Sequence, residues 1–287
     1  MTARLGKCSR RTACDAPMRH ALRMGLSAVL VLLPLHAAAH RVWLLPSATV
    51  VGGPEAVITV DAAVSENLFD FDANALKLDA LTVTGPDGQR LTVDAPTQGR
   101  RRSTFDVALR TPGSHRITQT SDTAFATYTL DGETKRWRGA PAAMASEVPA
   151  TAQALQVTRV HQRVETFVAL ERAGGNPFVP SAQGLELQTP TPATDLIAGD
   201  TSLWRLLLDG QPAANVQVTV VRGGNRYRYK LDEITLRTDA DGRFTLRWPQ
   251  PGMYWLHATV NTPAVLPAGE RPQRRATYSA TVEVLLP

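Results

Sequence analysis

Cysteine is almost missing from this sequence. The 287 residues hold only Cys8 and Cys14, so residues 40–287 have no disulfide, no thiol nucleophile and no Cys-based metal site. Stability must then come from core burial, which about 250 residues can supply. Long hydrophobic runs are absent too. Met24 to Leu35 is the longest, roughly a dozen residues where a bilayer span needs about 20. Histidine is scarce: His40, His115, His161 and His257 are the four beyond residue 39, and no two of them stand at i, i+2 or i, i+4. Any multi-imidazole metal site would therefore have to be assembled by tertiary folding. Enzyme signatures are lacking as well. There is no Gly-x-Ser-x-Gly, no His-Glu-x-x-His and no Gly-rich phosphate loop, and the adjacent Ser114 and His115 do not make a dyad. The chain is expected to be non-catalytic.

An excess of one charge is also missing once the leader is set aside. The net charge is +5, but Arg4, Lys7, Arg10, Arg11, Arg19 and Arg23 face only Asp15 before residue 40. The remaining 248 residues carry 25 charges of each sign, which argues against a nucleic-acid partner. Basic residues, the short apolar run and Ala37-Ala38-Ala39 together form the three parts of a signal peptide over residues 1–39. The mature protein is expected in the periplasm, without a membrane span. A cut after Ala37-x-Ala39 frees His40, whose α-amine and imidazole can hold one metal ion as a pair, with Cu(II) or Ni(II) favoured by nitrogen ligands. A cut after Ala37 instead gives Ala38-Ala39-His40, which can wrap the same ions in a square plane. The alternative is an ordinary terminal histidine. Partners for His40 are expected in the order His257, His115, His161; His161 lies between Arg159 and Arg163, and His115 beside the Gly113 turn.

What fills the rest is β pattern. Val57–Val60, Leu81–Thr84, Leu91–Val93 and Phe105–Leu109 are short β-branched or alternating runs, separated by turns such as Gly85-Pro86-Asp87-Gly88. A polar hairpin is expected over Leu130–Gly139 and a short helix around Met144–Glu147. Strands return at Leu155–Val157 and Val164–Val168. Thr189-Pro190-Thr191-Pro192 reads as a stiff connector. Beyond it come strands at Trp204–Leu208, Val216–Val220, Phe244–Trp248, Met253–Ala258 and Thr277–Leu286, with a tight turn at Thr238–Gly242 in which Gly242 takes a positive φ. The fold class is all-β: two antiparallel β-sandwich domains after a cleaved signal peptide, at residues 40–188 and 193–287.

Two polar clusters stand out. Glu66, Asp70 and Asp72 could offer oxygens to a hard cation, or form a solvated acidic loop. Arg222–Lys230 interleaves Arg with Tyr, which suits an anion or glycan, or a hairpin with its cations outward and its tyrosines inward; the second reading is preferred.

Ala39-His40-Arg41-Val42-Trp43-Leu44-Leu45-Pro46, Gly85-Pro86-Asp87-Gly88 and Glu165-Thr166-Phe167-Val168 resemble the DUF4198 family over about the whole mature chain. Gly210-Gln211-Pro212, Thr238–Phe244 and Pro251-Gly252-Met253-Tyr254 are similar to a CnaB or carboxypeptidase-regulatory-like domain. The first resemblance implies an exported protein of a kind once labelled a periplasmic component of nickel or cobalt uptake. The second implies a transthyretin-like sandwich used for scaffolding and binding. The combined expectation is a non-catalytic binding or accessory protein holding Cu(II), Ni(II) or Co(II) through His40, with His257 and His115 as candidate co-ligands. An envelope metal transporter or outer-membrane receptor would be its partner. The alternative is a structural module whose sandwiches bind a protein or glycan without metal. A third reading is a copper enzyme bracing its metal with His40 and a second histidine.

Overall fold

The computed structural model describes residues 40–53, 56–263 and 273–287. The leader and its two cysteines lie outside them. The strands are β1 (Arg41–Pro46), β2 (Val50–Val51), β3 (Ala56–Ser65), β4 (Asn74–Ala75), β5 (Leu81–Thr84), β6 (Arg90–Leu91), β7 (Asp94–Gln98), β8 (Ser103–Leu109), β9 (Gly113–Leu130) and β10 (Glu133–Gly139). After the one-turn helix α1 (Met144–Glu147) come β11 (Gln153–Leu170), β12 (Leu185–Gln188), β13 (Thr201–Leu208) and β14 (Gln211–Pro212). The chain closes with β15 (Gln217–Arg222), β16 (Ile234–Arg237), β17 (Arg243–Arg247), β18 (Gly252–Pro263) and β19 (Gln273–Val284).

These strands make an all-β molecule of three sheets. A ten-stranded sheet runs β16-β15-β18-β19-β11-β9-β5-β6, with β10 on β9 and β2 on β11. A five-stranded sheet (β1-β3-β8-β7, with β4 on β3) and a four-stranded one (β12-β13-β14, with β17 on β13) pack against it. Side-chain parity explains how one sheet serves two partners, since alternate residues of a strand point to opposite faces. On β11, Val164, Val168 and Leu170 enter a core with Leu44, Ile58, Phe105 and Val107 of the five-stranded sheet. The interleaved Phe167 enters the other core, with Leu185, Trp204, Phe244, Tyr254 and Tyr278. The long sheet is thus covered on one face near β11 and β9, and on the other near β15, β18 and β19. Most pairings are antiparallel. β11 and β19 run parallel from Thr158↔Gln273 to Thr166↔Thr281, so strands from the two halves of the chain share one continuous sheet.

The second core is built around a chain of rings. Trp204 and Trp248 meet at 5.5 Å, and Trp248 and Tyr254 at 5.1 Å, both edge-on, a geometry worth about 0.5–1.5 kcal/mol per pair beyond area burial. Their indole N–H groups are satisfied: Trp204 Nε1 donates to the Thr191 carbonyl (2.8 Å) and Trp248 Nε1 to Ser202 Oγ (2.7 Å). The turn before β17 forms as expected. Asp239 Oδ1 accepts from the amides of Asp241 and Arg243, and Gly242 has φ +75°. A Cβ there would fall against the Leu206 carbonyl oxygen, so only glycine fits.

Several expectations change in detail. Leu185 and Leu187, assigned by sequence to the residue 40–188 segment, are buried in the second core because β12 pairs with β13. The separate strands expected at Leu155–Val157 and Val164–Val168 are one 18-residue strand. An equally long β9, paired with it, was not expected at all. The Arg222–Lys230 segment is not a hairpin with inward tyrosines: a 3-10 turn at Asn225–Tyr227 breaks the alternation, and Tyr227 and Tyr229 are exposed.

Candidate functional site

His40 stands immediately before β1, whose first residue Arg41 pairs with Ser65 of β3. That pairing brings the start of the described chain beside the loop after β3. His40 is exposed, and its Nε2 lies 3.8 Å from Glu66 Oε1. The loop is pinned from within. Burial pushes the Asp72 carboxyl up, but the Asn67 and Glu66 amides at 2.9 Å each and the Asn67 side-chain amide at 3.2 Å donate to it and together hold it below the usual range. Asp70 pairs with Arg226 at 3.3 Å. Phe69 and Phe71 pack on Trp43 at 5.5 and 5.6 Å. The acidic cluster is thereby largely consumed in holding its own loop, leaving Glu66 facing His40.

The other two candidate ligands are held by contacts of their own. His257 lies in β18, stacked on Trp255 at 5.1 Å and 3°. Its Nδ1 is 3.2 Å from Ser279 Oγ and its Nε2 2.9 Å from Thr259 Oγ1, so both nitrogens already have hydroxyl partners. Burial pushes its pKa down to about 4. His115 lies in β9 opposite Val168, wholly buried rather than solvated at a turn. Its Nδ1 is 3.1 Å from the Gly113 carbonyl and its Nε2 has no hydrogen-bond partner; burial lowers its pKa, opposed by that carbonyl and by Asp87. Three strand spacings and about four residues of register separate His115 from His257, on the order of 20 Å from strand geometry. These two imidazoles do not share an ion. His161 Nδ1 is likewise buried without a partner, and a Cβ at Gly184 would strike that ring. Among the described residues no group of three or more His, Cys, Asp or Glu side chains is placed to hold a metal. A chelate at an amino-terminal His40 would need only that residue's amine and ring.

Sequence reasoning missed a buried ionic cluster. Glu165 of β11 is wholly buried. Tyr278 OH donates to its Oε2 at 2.7 Å and Thr118 Oγ1 to its Oε1 at 3.0 Å. Arg116 and Arg163 approach it at 3.5 and 3.4 Å. Arg163 continues to Ser181 Oγ (2.6 Å) and Glu186 (3.5 Å), while Arg116 donates to the Leu187 carbonyl at 2.9 Å. Two guanidiniums against two carboxylates make the cluster neutral overall. Burial, then the Glu165 charge, raises the Tyr278 hydroxyl well above its ordinary pKa, so Tyr278 serves as a donor and not as an acid. Beside this cluster is a cleft of about 380 Å³, walled by Phe167, Phe178, Pro190 and Pro192, with Ser114 and Thr194 hydroxyls 2.8 Å apart. Arg116 lies between Phe167 and Phe178, 5.0 and 4.9 Å from their centroids. The signal available in sequence was a charge set inside an apolar run, as in Leu185-Glu186-Leu187.

No curated protein matches the chain. Among solved structures, the D0-D1 domain of intimin aligns at 14% identity over 82% of this chain and 96% of its own, with a TM-score of 0.21. A Salmonella alpha-2-macroglobulin aligns at 15% identity over 84% of this chain and 15% of its own, with a TM-score of 0.23. An ICAM-5 ectodomain fragment aligns at 11% identity over 86% of this chain and 51% of its own, with a TM-score of 0.20. The family comparison is the informative one: the domain of unknown function DUF4198 matches residues 37–262, and the chain belongs to that family.

Proposed function

We propose that this is an exported, non-catalytic binding protein that holds Cu(II), Ni(II) or Co(II) at its mature amino terminus, for delivery to an envelope transporter or outer-membrane receptor. Export is supported by the order of basic segment, short apolar run and Ala37-Ala38-Ala39. The observation that carries the metal reading is the exposed His40 ring with Glu66 Oε1 3.8 Å from its Nε2. Chelation by the α-amine and Nδ1 leaves Nε2–H free to face a carboxylate, the outer partner that orients a ligating imidazole and raises its basicity. Glu66 stands where that partner is needed.

The test begins with the intact mass of the exported protein, which fixes the residue bearing the α-amine. Cu(II) and Ni(II) are then titrated calorimetrically into processed wild type, His40→Ala and Glu66→Gln. The expected result is a start at His40, submicromolar binding lost in His40→Ala, and about 10-fold weakening in Glu66→Gln, the lower end for loss of an outer-shell partner. Retained leader, or equal binding by wild type and His40→Ala, overturns the metal reading. That outcome leaves the alternative of sandwiches that bind a protein or glycan.

A further inference from the structure

Strands β10, β9, β11, β19 and β18 are neighbours in the long sheet. On their far reach, away from the five-stranded sheet, alternate residues Ala124, Ala126, Tyr128 and Val157 are buried on one face, the last three in a small cluster with residues of α1 and its flanks. The interleaved residues form rows on the opposite face. One row is Arg138–Phe125–Thr158–Gln273. The next on one side begins Arg136–Thr127 and on the other ends Arg275–Asn261. A fourth, through Gln162 and Thr277, holds only Ser, Thr and Gln. No position in these four rows is Asp or Glu. Asp122 and Glu133, the acids of the same strand segments, fall on the other parity. Among the described residues Arg136, Arg138 and Arg275 form no ion pair. Arg138 is stacked over the exposed Phe125 at 5.2 Å, and Arg275 Nε donates to Asn261 Oδ1 at 3.1 Å.

From this carboxylate-free, arginine-bearing polar face we infer that the protein binds an acidic polysaccharide, laid across β10, β9, β11, β19 and β18. The surface's chemistry selects among polyanions. Strand geometry puts Arg136 and Arg138 about 7 Å apart, and Arg275 on the order of 16 Å from Arg138. Such spacing is too sparse for duplex DNA, which presents one charge per ~1.7 Å of axis. A protein partner would want a centre of aromatic and aliphatic anchors, and among the described side chains of the rows only Phe125 and Val160 are apolar. What the face offers instead is guanidinium forks for carboxylate or sulfate, separated by hydroxyls and amides that match sugar hydroxyls, with one ring for the apolar face of a sugar.

The test is binding of the purified protein to immobilised polygalacturonate, with dextran as the neutral glycan and polyglutamate as the acidic polypeptide. The triple variant Arg136→Glu, Arg138→Glu, Arg275→Glu is compared with a control triple at the exposed Arg100, Arg101 and Arg102. Saturable binding to polygalacturonate, at least ~10-fold weaker in the face variant through like-charge repulsion and unchanged in the control, supports the inference, given equal melting temperatures. Four results overturn it: no binding to polygalacturonate, equal binding by the face variant and wild type, equal affinity for dextran, or polyglutamate bound as tightly through the same arginines. Because the metal at His40 plays no part in this assay, its outcome is independent of the metal reading.

Discussion

His257 shows how a local environment overrides a residue's ordinary chemistry. A histidine near Tyr254 and Trp255 invites a ligand reading, but the ring is stacked on Trp255 and bonded by Ser279 and Thr259. Its folded pKa of about 4 lies below the 6.5 of an unperturbed imidazole. For a base depressed by folding, the neutral form is the one the fold favours. Its stabilising contribution is therefore complete above pH 6.5 and is lost as the pH falls from 6.5 towards 4. The loss amounts to at most about 3 kcal/mol, reduced by the part of the ring that reaches water. Urea midpoints across this range should fall less in His257→Gln than in wild type. Parallel curves for the two proteins would show that the ring does not titrate as argued. That the residue is in a strand could be read from its neighbours. That both its nitrogens are taken could not, because Ser279 comes from a strand 22 residues further on.

At the scale of elements, buried charge joins apolar packing in holding β12 to the long sheet. Glu186 accepts from the Ser181 amide at 2.8 Å and faces Arg163, which faces Glu165. Removing one member of such a buried set leaves the others uncompensated, at a cost of about 3–5 kcal/mol. Glu165→Gln keeps the shape and removes the charge, so its unfolding free energy in urea should drop by that amount. Glu133→Gln, which breaks an exposed pair with Lys135, should change stability by no more than about 1 kcal/mol. Similar effects of the two substitutions would show that the cluster is not an electrostatic pin. The same cluster explains why β9 was invisible in the sequence. Its buried positions include Arg116 and Thr118 in place of a run of Val and Ile, and polar inward residues erase the alternation by which a half-buried strand is recognised. β8, with apolar Phe105, Val107 and Leu109 on its buried face, was legible for the opposite reason.

The whole molecule turns on the parallel pairing of β11 with β19. Phe167, Leu185 and Leu187 all precede residue 193, yet all are buried in the core of the C-terminal strands. Residues 193–287 expressed alone would expose that side of the core and leave β19 as an unpaired edge, an aggregation-prone arrangement. The expected result is a fragment without a cooperative urea transition, while residues 40–287 unfold in one step seen alike by tryptophan fluorescence and far-ultraviolet circular dichroism. A fragment that folds cooperatively would show that the C-terminal half is an autonomous domain.

The identity of many strands, the Asp239–Gly242 turn, the short helix and the all-β class were written in local sequence, because a period of two, β-branched runs and turn residues act over a few positions at a time. So was the family, through Ala39–Pro46 and its companion motifs. The tertiary structure alone decided which strands from distant segments lie side by side. That pairing buried Glu165 between two arginines, kept His115 and His257 apart, set Glu66 before His40 and left four rows of one sheet face without carboxylates. Contacts between residues tens of positions apart depend on which faces can be buried together, and no short window of the chain carries that information.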